Sequence, residues 1–347
     1  MKPVQNPFRG TGLMLDAPRT RDDARAVSAL LAQCPKHAVT PLVDADDVAR
    51  AANVAHVHIK DERGRMGLGS FKALGAAHAI AREAAKTGKD PMDQALSGRT
   101  FVAASAGNHG LSVAAGAAIF GARAIIYLAD TVPESFALKL RAKGAEVVRA
   151  GAQYEASMNA AAQAARDKGW TLLSDSTWEG YVDPAMDVME GYLQMAAEAV
   201  EQMPEPPTDI FLQAGVGGLA AAFAAHARRA WGDAPRIIVV EPEFAPALIA
   251  SIQAGRLVTA DGPVSDMGRL DCKTPSVVAL ASLSRDADTF VTISEEQAAD
   301  GTAQLAGMGF PSTPSGAAGA AALLGRAVDL PQDARVLVVL SEGPEDG

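Results

Sequence analysis

Cysteine is almost absent. Cys34 and Cys272 are the only two in 347 residues, far apart and outside any CxxC or Cys/His spacing, so no metal cage is encoded and a reducing cytoplasm is the expected compartment. A basic block is missing too: the formal charge of -10 is spread along the chain. Nucleic acid and anionic membranes are therefore not expected as partners. No uninterrupted apolar run reaches the about 18 residues of a membrane span. The opening MKPVQNPFRGTGLM has no apolar stretch after its charge, so no export is expected either. No repeat of fixed period is visible. With 48% apolar and 21% charged residues, the composition is that of a globular protein able to bury a substantial core.

Short apolar runs alternate with Ala-rich helical stretches. AHVHIK, TFVAAS, ARAIIYL, AEVVRAG, TDIFLQ, PRIIVVE and ARVLVVL read as strands, most too continuously apolar to have one wet face, which predicts buried parallel strands. FKALGAAHAIAREAAK, HGLSVAAGAAIFG, PESFALKLRAKG, YEASMNAAAQAARDKG, MDVMEGYLQMAAEAVEQM and GLAAAFAAHARRAWG have helical spacing. The fold class is α/β, with open, mostly parallel sheets covered by helices. Two lobes are expected: 1–85 with 190–347 as the larger, and 86–189 as a smaller lobe closing over the site. EQMPEPPTD reads as a Pro-rich connector, SRDADTF and LPQDARV as surface turns.

Three stretches carry chemistry. In GLGSFKALGAAHAI, Lys72 stands among small, apolar or neutral residues at the first turn of a helix. Desolvation and the positive helix end both lower an amine's pKa, as a Schiff-base lysine requires; a surface lysine with a wet amine fits the same pattern. VAASAGNHG places Ser105, Gly107, Asn108 and His109 at the carboxyl end of a strand, where backbone amides can hold a carboxylate or phenolate. Ser105, Gly107 and His109 are candidate substrate contacts, although a plain N-cap explains Ser or Asn. DIFLQAGVGGLA brings Gly215, Val216, Gly217 and Gly218 to a helix start suited to a phosphate. Gly215-x-Gly217-x-x-Ala220 with Glu241 closing the next strand also matches a dinucleotide fingerprint, so an NAD(P)-dependent dehydrogenase is a rival reading.

GSFKALGA, SAGNHG and GVGGLA in this order, followed by VVEP, resemble the pyridoxal-phosphate enzymes of the tryptophan synthase β family (fold type II). KDERGRMGLGSFKALG, DSTWEGY, MEGY, MGRLDCKTP and VLSEG are similar to the diaminopropionate ammonia-lyase branch, then to threonine and serine dehydratases. The resemblance implies pyridoxal 5'-phosphate bonded to Lys72, its phenolic oxygen held by Asn108, and its phosphate by the amides of Gly215 to Gly218. It also implies Ser341 facing the pyridine nitrogen; read alone, Ser341 is a strand-end cap. Lys72 would act as base at Cα and Asp175 would assist the leaving group, where the residue alone suggests a turn. Trp178, Glu179 and Tyr181 would shape the pocket or pack it. The implied activity is α,β-elimination from a small L-amino acid, giving a 2-oxo acid and ammonia, in a homodimer.

Three departures from that family stand out. Ala106 replaces an aspartate of the ammonia-lyases associated with the D-isomer, which predicts preference for the L-isomer. STPSG at 312–316 lacks an acidic residue found near there. Arg269, Asp271 and Lys273 stand where the family has small residues; two cations near a pocket would favour an acidic β-substituent, as in 3-hydroxyaspartate, whereas a solvated loop is the plain alternative. A binding protein that has lost catalysis, and β-replacement, are further rivals.

Overall fold

A computed structural model describes residues 2–89 and 92–344; Met1, Asp90, Pro91 and 345–347 lie outside the described residues. Its strands are β1 (Val4–Gln5), β2 (Leu42–Asp44), β3 (His56–Asp61), β4 (Thr100–Ala104), β5 (Arg123–Leu128), β6 (Glu146–Arg149), β7 (Thr171–Leu172), β8 (Asp209–Gln213), β9 (Arg236–Pro242), β10 (Thr289–Ile293) and β11 (Arg335–Leu340). They form two sheets, in the orders β1-β10-β9-β8-β11-β3-β2 and β6-β5-β4-β7. The second is wholly parallel, and the first is parallel except for the edge strands β1 and β2.

The unbroken apolar runs have a direct cause. In β8, Ile210 and Leu212 enter one core cluster with Phe223 of the helix Gly218–Trp231, while Phe211 enters another with the helix Pro314–Leu324. Alternate residues point to opposite faces and both faces are covered, so every position must be apolar. The α/β expectation is met.

Two local readings are corrected. SRDADTF is not a surface turn: it ends the helix Val277–Asp286 and begins β10, where Thr289 and Phe290 are fully buried. Its charge misled because Asp288 is neutralised by Arg9 and Arg228 rather than by water. MDVMEGYLQMAAEAVEQM forms two helices, Asp183–Gly191 and Leu193–Gln202, meeting at Tyr192. The first packs on the helix Lys72–Ala85 so closely that a Cβ on Gly191 would lie 2.4 Å from the Leu74 carbonyl oxygen, and one on Gly75 2.7 Å from Tyr192 Cε1. Only glycine permits this approach, which brings Tyr192 to the start of the Lys72 helix.

Under that helix lies a charged core. Lys60, Glu62 and Arg65 are fully buried and Glu198 nearly so. Lys60 Nζ donates to Glu198 Oε2 and the Thr40 carbonyl, each at 2.8 Å. Arg65 grips Glu62 through Nε and Nη2, both at 2.7 Å, and Glu198 through Nη1 at 2.9 Å. Two cations thus meet two anions in a dry interior, which makes the network costly to break. It fixes the turn that leads from β3 to Lys72. Among the described residues, no helix is long and apolar enough to cross a membrane, and no group of three or more His, Cys, Asp and Glu could hold a metal.

Candidate active site

Five strands deliver site residues from their carboxyl ends: β3 leads to Lys72, β4 to Ser105–Asn108, β7 to Asp175, β8 to Gly215–Gly218 and β11 to Ser341. This is where open parallel sheets place ligand-binding loops, because strand direction is shared and the helix starts that follow carry positive partial charge.

Lys72 Nζ is hydrogen-bonded and ion-paired to Asp175 Oδ2, across 103 residues of sequence. Side-chain exposures of 23% and 22% rule out a lysine whose amine simply reaches bulk water. The expected depressed amine is corrected here: burial does disfavour the ammonium, but the charge of Asp175 outweighs it and holds Lys72 above the ordinary lysine value. Burial likewise works against the Asp175 carboxylate, and Lys72 overrides it, holding Asp175 well below the usual range. Phe71 and Tyr192 wall the pair: Lys72 Nζ lies 5.2 Å and 5.8 Å from their ring centres. Among the described residues the buried Tyr192 hydroxyl meets no hydrogen-bond partner, and its ring stands beside Lys72 Nζ.

The turn carrying Asp175 is pinned from both sides. Tyr181 Oη donates to the Leu172 carbonyl at 3.0 Å and accepts from Ser174 N at 2.9 Å, and its ring stacks on Trp178. Thr177 Oγ1 pairs with Ser276 Oγ at 2.6 Å and accepts from Val278 N, tying the turn to the helix Val277–Asp286. His109 is buried; its Nε2 lies 2.9 Å from the Leu173 carbonyl oxygen, and burial keeps the ring below the ordinary histidine value. That bond ties the helix bearing Asn108 to the strand end bearing Asp175. Ser105 Oγ accepts from Gly107 N and Gly110 N, at 3.2 and 3.1 Å, and so shapes its own turn.

In the glycine loop, Gly217 has φ +96°, which a side chain rarely adopts, and a Cβ there would meet Ala279 Cβ at 3.0 Å. No side chain caps the helix that begins at Gly218, so its first N–H groups stand open to an anion. Cys272 Sγ lies 3.1 Å from where a Gly215 Cβ would sit, and burial pushes its thiol up to about 11.

The loop cations do not serve as expected. Lys273 Nζ donates to the carbonyls of Phe244 and Pro263, at 2.7 and 2.8 Å, and pairs with Asp271. Arg269 Nη1 pairs with Glu342 Oε1 at 3.0 Å. With their charge matched inside the protein, they give no ground for an acidic substrate.

Glu342 was missed by sequence reasoning, although a charged residue two positions after the apolar run RVLVVL was a usable signal. It is 4% exposed and accepts from Asn108 Nδ2 at 2.5 Å and from Thr313 Oγ1. Ser341, beside it, accepts a backbone bond from Phe71 N at 3.0 Å, which joins the end of β11 to the Lys72 helix. Glu241 is spent elsewhere: fully buried, it accepts from Leu248 N at 2.7 Å and Ile249 N at 2.9 Å at the start of a helix. The acid at the fingerprint position is thus engaged by the protein's own backbone, which counts against the dinucleotide reading.

Comparison with known proteins agrees with this geometry. Residues 34–342 match the family described as pyridoxal-phosphate dependent enzyme. The chain is 31% identical over 338 residues to diaminopropionate ammonia-lyase of Escherichia coli K12, covering 88% of this chain and 85% of that protein. It is 29% identical over 281 residues to L-threonine ammonia-lyase of Thermotoga maritima, covering 80% and 65%. The crystal structure of the E. coli diaminopropionate ammonia lyase in complex with D-serine superposes with a TM-score of 0.87 at 28% identity, covering 99% of this chain and 93% of that one.

Proposed function

The chain belongs to the pyridoxal-phosphate-dependent enzyme family, and we propose that it is an elimination lyase acting on L-2,3-diaminopropionate, releasing pyruvate and two molecules of ammonia. The observation that carries the substrate choice is the ionised Asp175 carboxylate against Lys72, in a cleft whose neighbouring cations are matched. A β-ammonium group is attracted to such a carboxylate and departs already protonated. A β-carboxylate would be repelled. A β-hydroxyl, as in serine or threonine, needs a proton that Asp175 can give only after receiving one.

The residues fit the cofactor. The glycine loop offers backbone N–H groups at a helix start that no side chain caps, in a backbone conformation that the close packing of Gly217 on Ala279 reserves for glycine, and the strand ends beside it carry an amine, an amide and hydroxyls. When bound, pyridoxal phosphate supplies an aldehyde that condenses with amines and a conjugated ring that stores the electron pair released at Cα. Lys72 would hold the aldehyde carbon, Asn108 the ring oxygen, Gly215, Val216, Gly217 and Gly218 the phosphate, with Ser341 toward the ring nitrogen. Lys72 Nζ, neutral once the incoming substrate amine has displaced it, would take the Cα proton, and the Asp175 carboxylate would hold the resulting ammonium; the β-ammonium leaves as ammonia and needs no further proton. Ser105 and Gly107 orient the substrate carboxylate, and His109 keeps the Asn108 and Asp175 segments in register.

The strand membership of the two sheets supports a larger lobe of 1–85 with 190–347 and a smaller one of 86–189 that closes the site. Two free thiols support a cytoplasmic setting, and the family resemblance a homodimer. The test is to supply L-diaminopropionate, L-serine, L-threonine and 3-hydroxyaspartate and to measure 2-oxo acid and ammonia. Preferred turnover of diaminopropionate, with two ammonia per pyruvate, is expected; a preference for 3-hydroxyaspartate would overturn the reading.

A further inference from the structure

We propose that Glu342 is a positioning residue of the cofactor site: its carboxylate decides which way the Asn108 amide faces. The inference rests on the reading that Asn108 donates to the cofactor's ring oxygen.

Glu342 follows Ser341 at the carboxyl end of β11 and is 4% exposed. Its two oxygens serve different sides. Oε1 accepts from Thr313 Oγ1 and faces Arg269 Nη1 at 3.0 Å, whereas Oε2 accepts from Asn108 Nδ2 at 2.5 Å. The groups arriving on both sides are donors. An ionised carboxylate is the only side chain of this size with acceptors at both positions and no donor. Arg269 Nη1 adds a charge-assisted contact on the Oε1 side.

The consequence for Asn108 is geometric. An asparagine can face a neighbour with oxygen or with nitrogen, and opposite a carboxylate only nitrogen is tolerated. One N–H is then engaged by Glu342, and the other remains for the oxygen of a cofactor ring. Were the amide reversed, its oxygen lone pairs would face that ring oxygen, turning an attraction into a repulsion. Thr313 contributes from the opposite side, since its Oγ1 also accepts from Gly316 N at 2.9 Å, which leaves its hydroxyl hydrogen for Glu342.

Glu342→Gln is nearly isosteric and tests this without opening a cavity. Gln keeps one acceptor, which Arg269 and Thr313 claim, and presents its NH2 to Asn108, so the asparagine must reverse. Cofactor affinity, read by titrating the cofactor-free protein with pyridoxal phosphate and following the absorbance of the lysine-bound form, is expected to weaken about tenfold. The discriminating comparison repeats the substitution in an Asn108→Ala background. There E342Q is expected to change affinity less than twofold, because the residue it acts through is gone.

Equal losses in both backgrounds, or none in the wild-type background, would overturn the proposal. Should E342Q fold poorly, Thr313→Val removes one donor that orients the carboxylate and is expected to lose affinity only when Asn108 is present; additivity there would overturn it equally. Failure of the underlying reading has a separate signature. Borohydride-reduced wild-type protein would then carry no cofactor adduct on Lys72, whatever happens at Glu342.

Discussion

Replacing Asp175 by asparagine separates the two forces that act on Lys72. In the wild-type protein burial disfavours the ammonium while the neighbouring carboxylate favours it, and the carboxylate prevails. Unit charges about 4 Å apart at an effective dielectric of about 20 interact by about 4 kcal/mol, equivalent to about 3 pH units. Roughly a fifth of each side chain remains exposed, so water absorbs part of this, and a fall of about 1–2 units in the Lys72 pKa is expected. Burial persists in D175N and now acts with less opposition, so the amine should move toward its neutral form. Capture of pyridoxal phosphate by the cofactor-free protein, which scales with neutral amine, should become about 10- to 100-fold faster near pH 8. Turnover should move the opposite way, falling by about two to four orders of magnitude with loss of the carboxylate that holds the Lys72 proton and faces the β-ammonium. Stability follows by sign. Asp175 is depressed and Lys72 raised, so the pair's contribution is lost as pH falls through the former or rises through the latter. The difference between wild type and D175N should be flat between about pH 5 and 9. Absorbance-monitored capture across pH checks the central claim: an unchanged or higher midpoint in D175N would refute the balance of forces, and undiminished turnover would refute the proton role.

Gly217→Ala should destabilise the protein by about 1–2 kcal/mol in chemical denaturation, because φ +96° is strained for alanine and its Cβ meets Ala279; phosphate-dependent cofactor binding should weaken with it. Burial raises Glu241 to about 8. The stability that it supplies in protonated form is full below the unfolded carboxyl value and is lost as pH rises through about 8. Glu241→Gln should therefore flatten the dependence of unfolding free energy on pH between 5 and 8. Lys60→Met leaves the Glu198 carboxylate short of a buried partner and should cost about 3–5 kcal/mol, measurable as a lower denaturation midpoint with little change in KM if the protein still folds.

Most of the seven strands read from the sequence were legible because a strand buried on both faces is apolar through its middle, as Ile210–Leu212 of β8, Ile237–Val240 of β9 and Val336–Leu340 of β11 are; β6 is half-exposed and was marked only by its two valines. The short β1, β2 and β7 were not, since two or three residues carry no period. The helix Pro314–Leu324 escaped for the converse reason: nine of its residues are buried, so it has no polar face to mark a turn of 3.6 residues. At the site, Lys72, Asn108 and the glycine loop stood out as a set in one order along the chain, since each taken alone has a plain structural reading. Glu342 carried only the weaker mark of a charge at the end of an apolar strand.

From the sequence alone came where most of the strands lie, and, through the resemblance carried by its motifs, the cofactor family and the candidate lysine and glycine loop. Strand position follows from hydrophobic pattern and the loop from backbone freedom, both properties of neighbours along the chain. The tertiary structure alone decided that Lys72 rests as a charged amine against Asp175, that Lys273 and Arg269 are matched within the protein, that Glu241 caps a helix and that Glu342 faces Asn108. Proton affinity and hydrogen-bond choice depend on groups a few ångströms away in space, and for Lys72 with Asp175 and for Glu342 with Asn108 those groups come from segments more than a hundred residues apart.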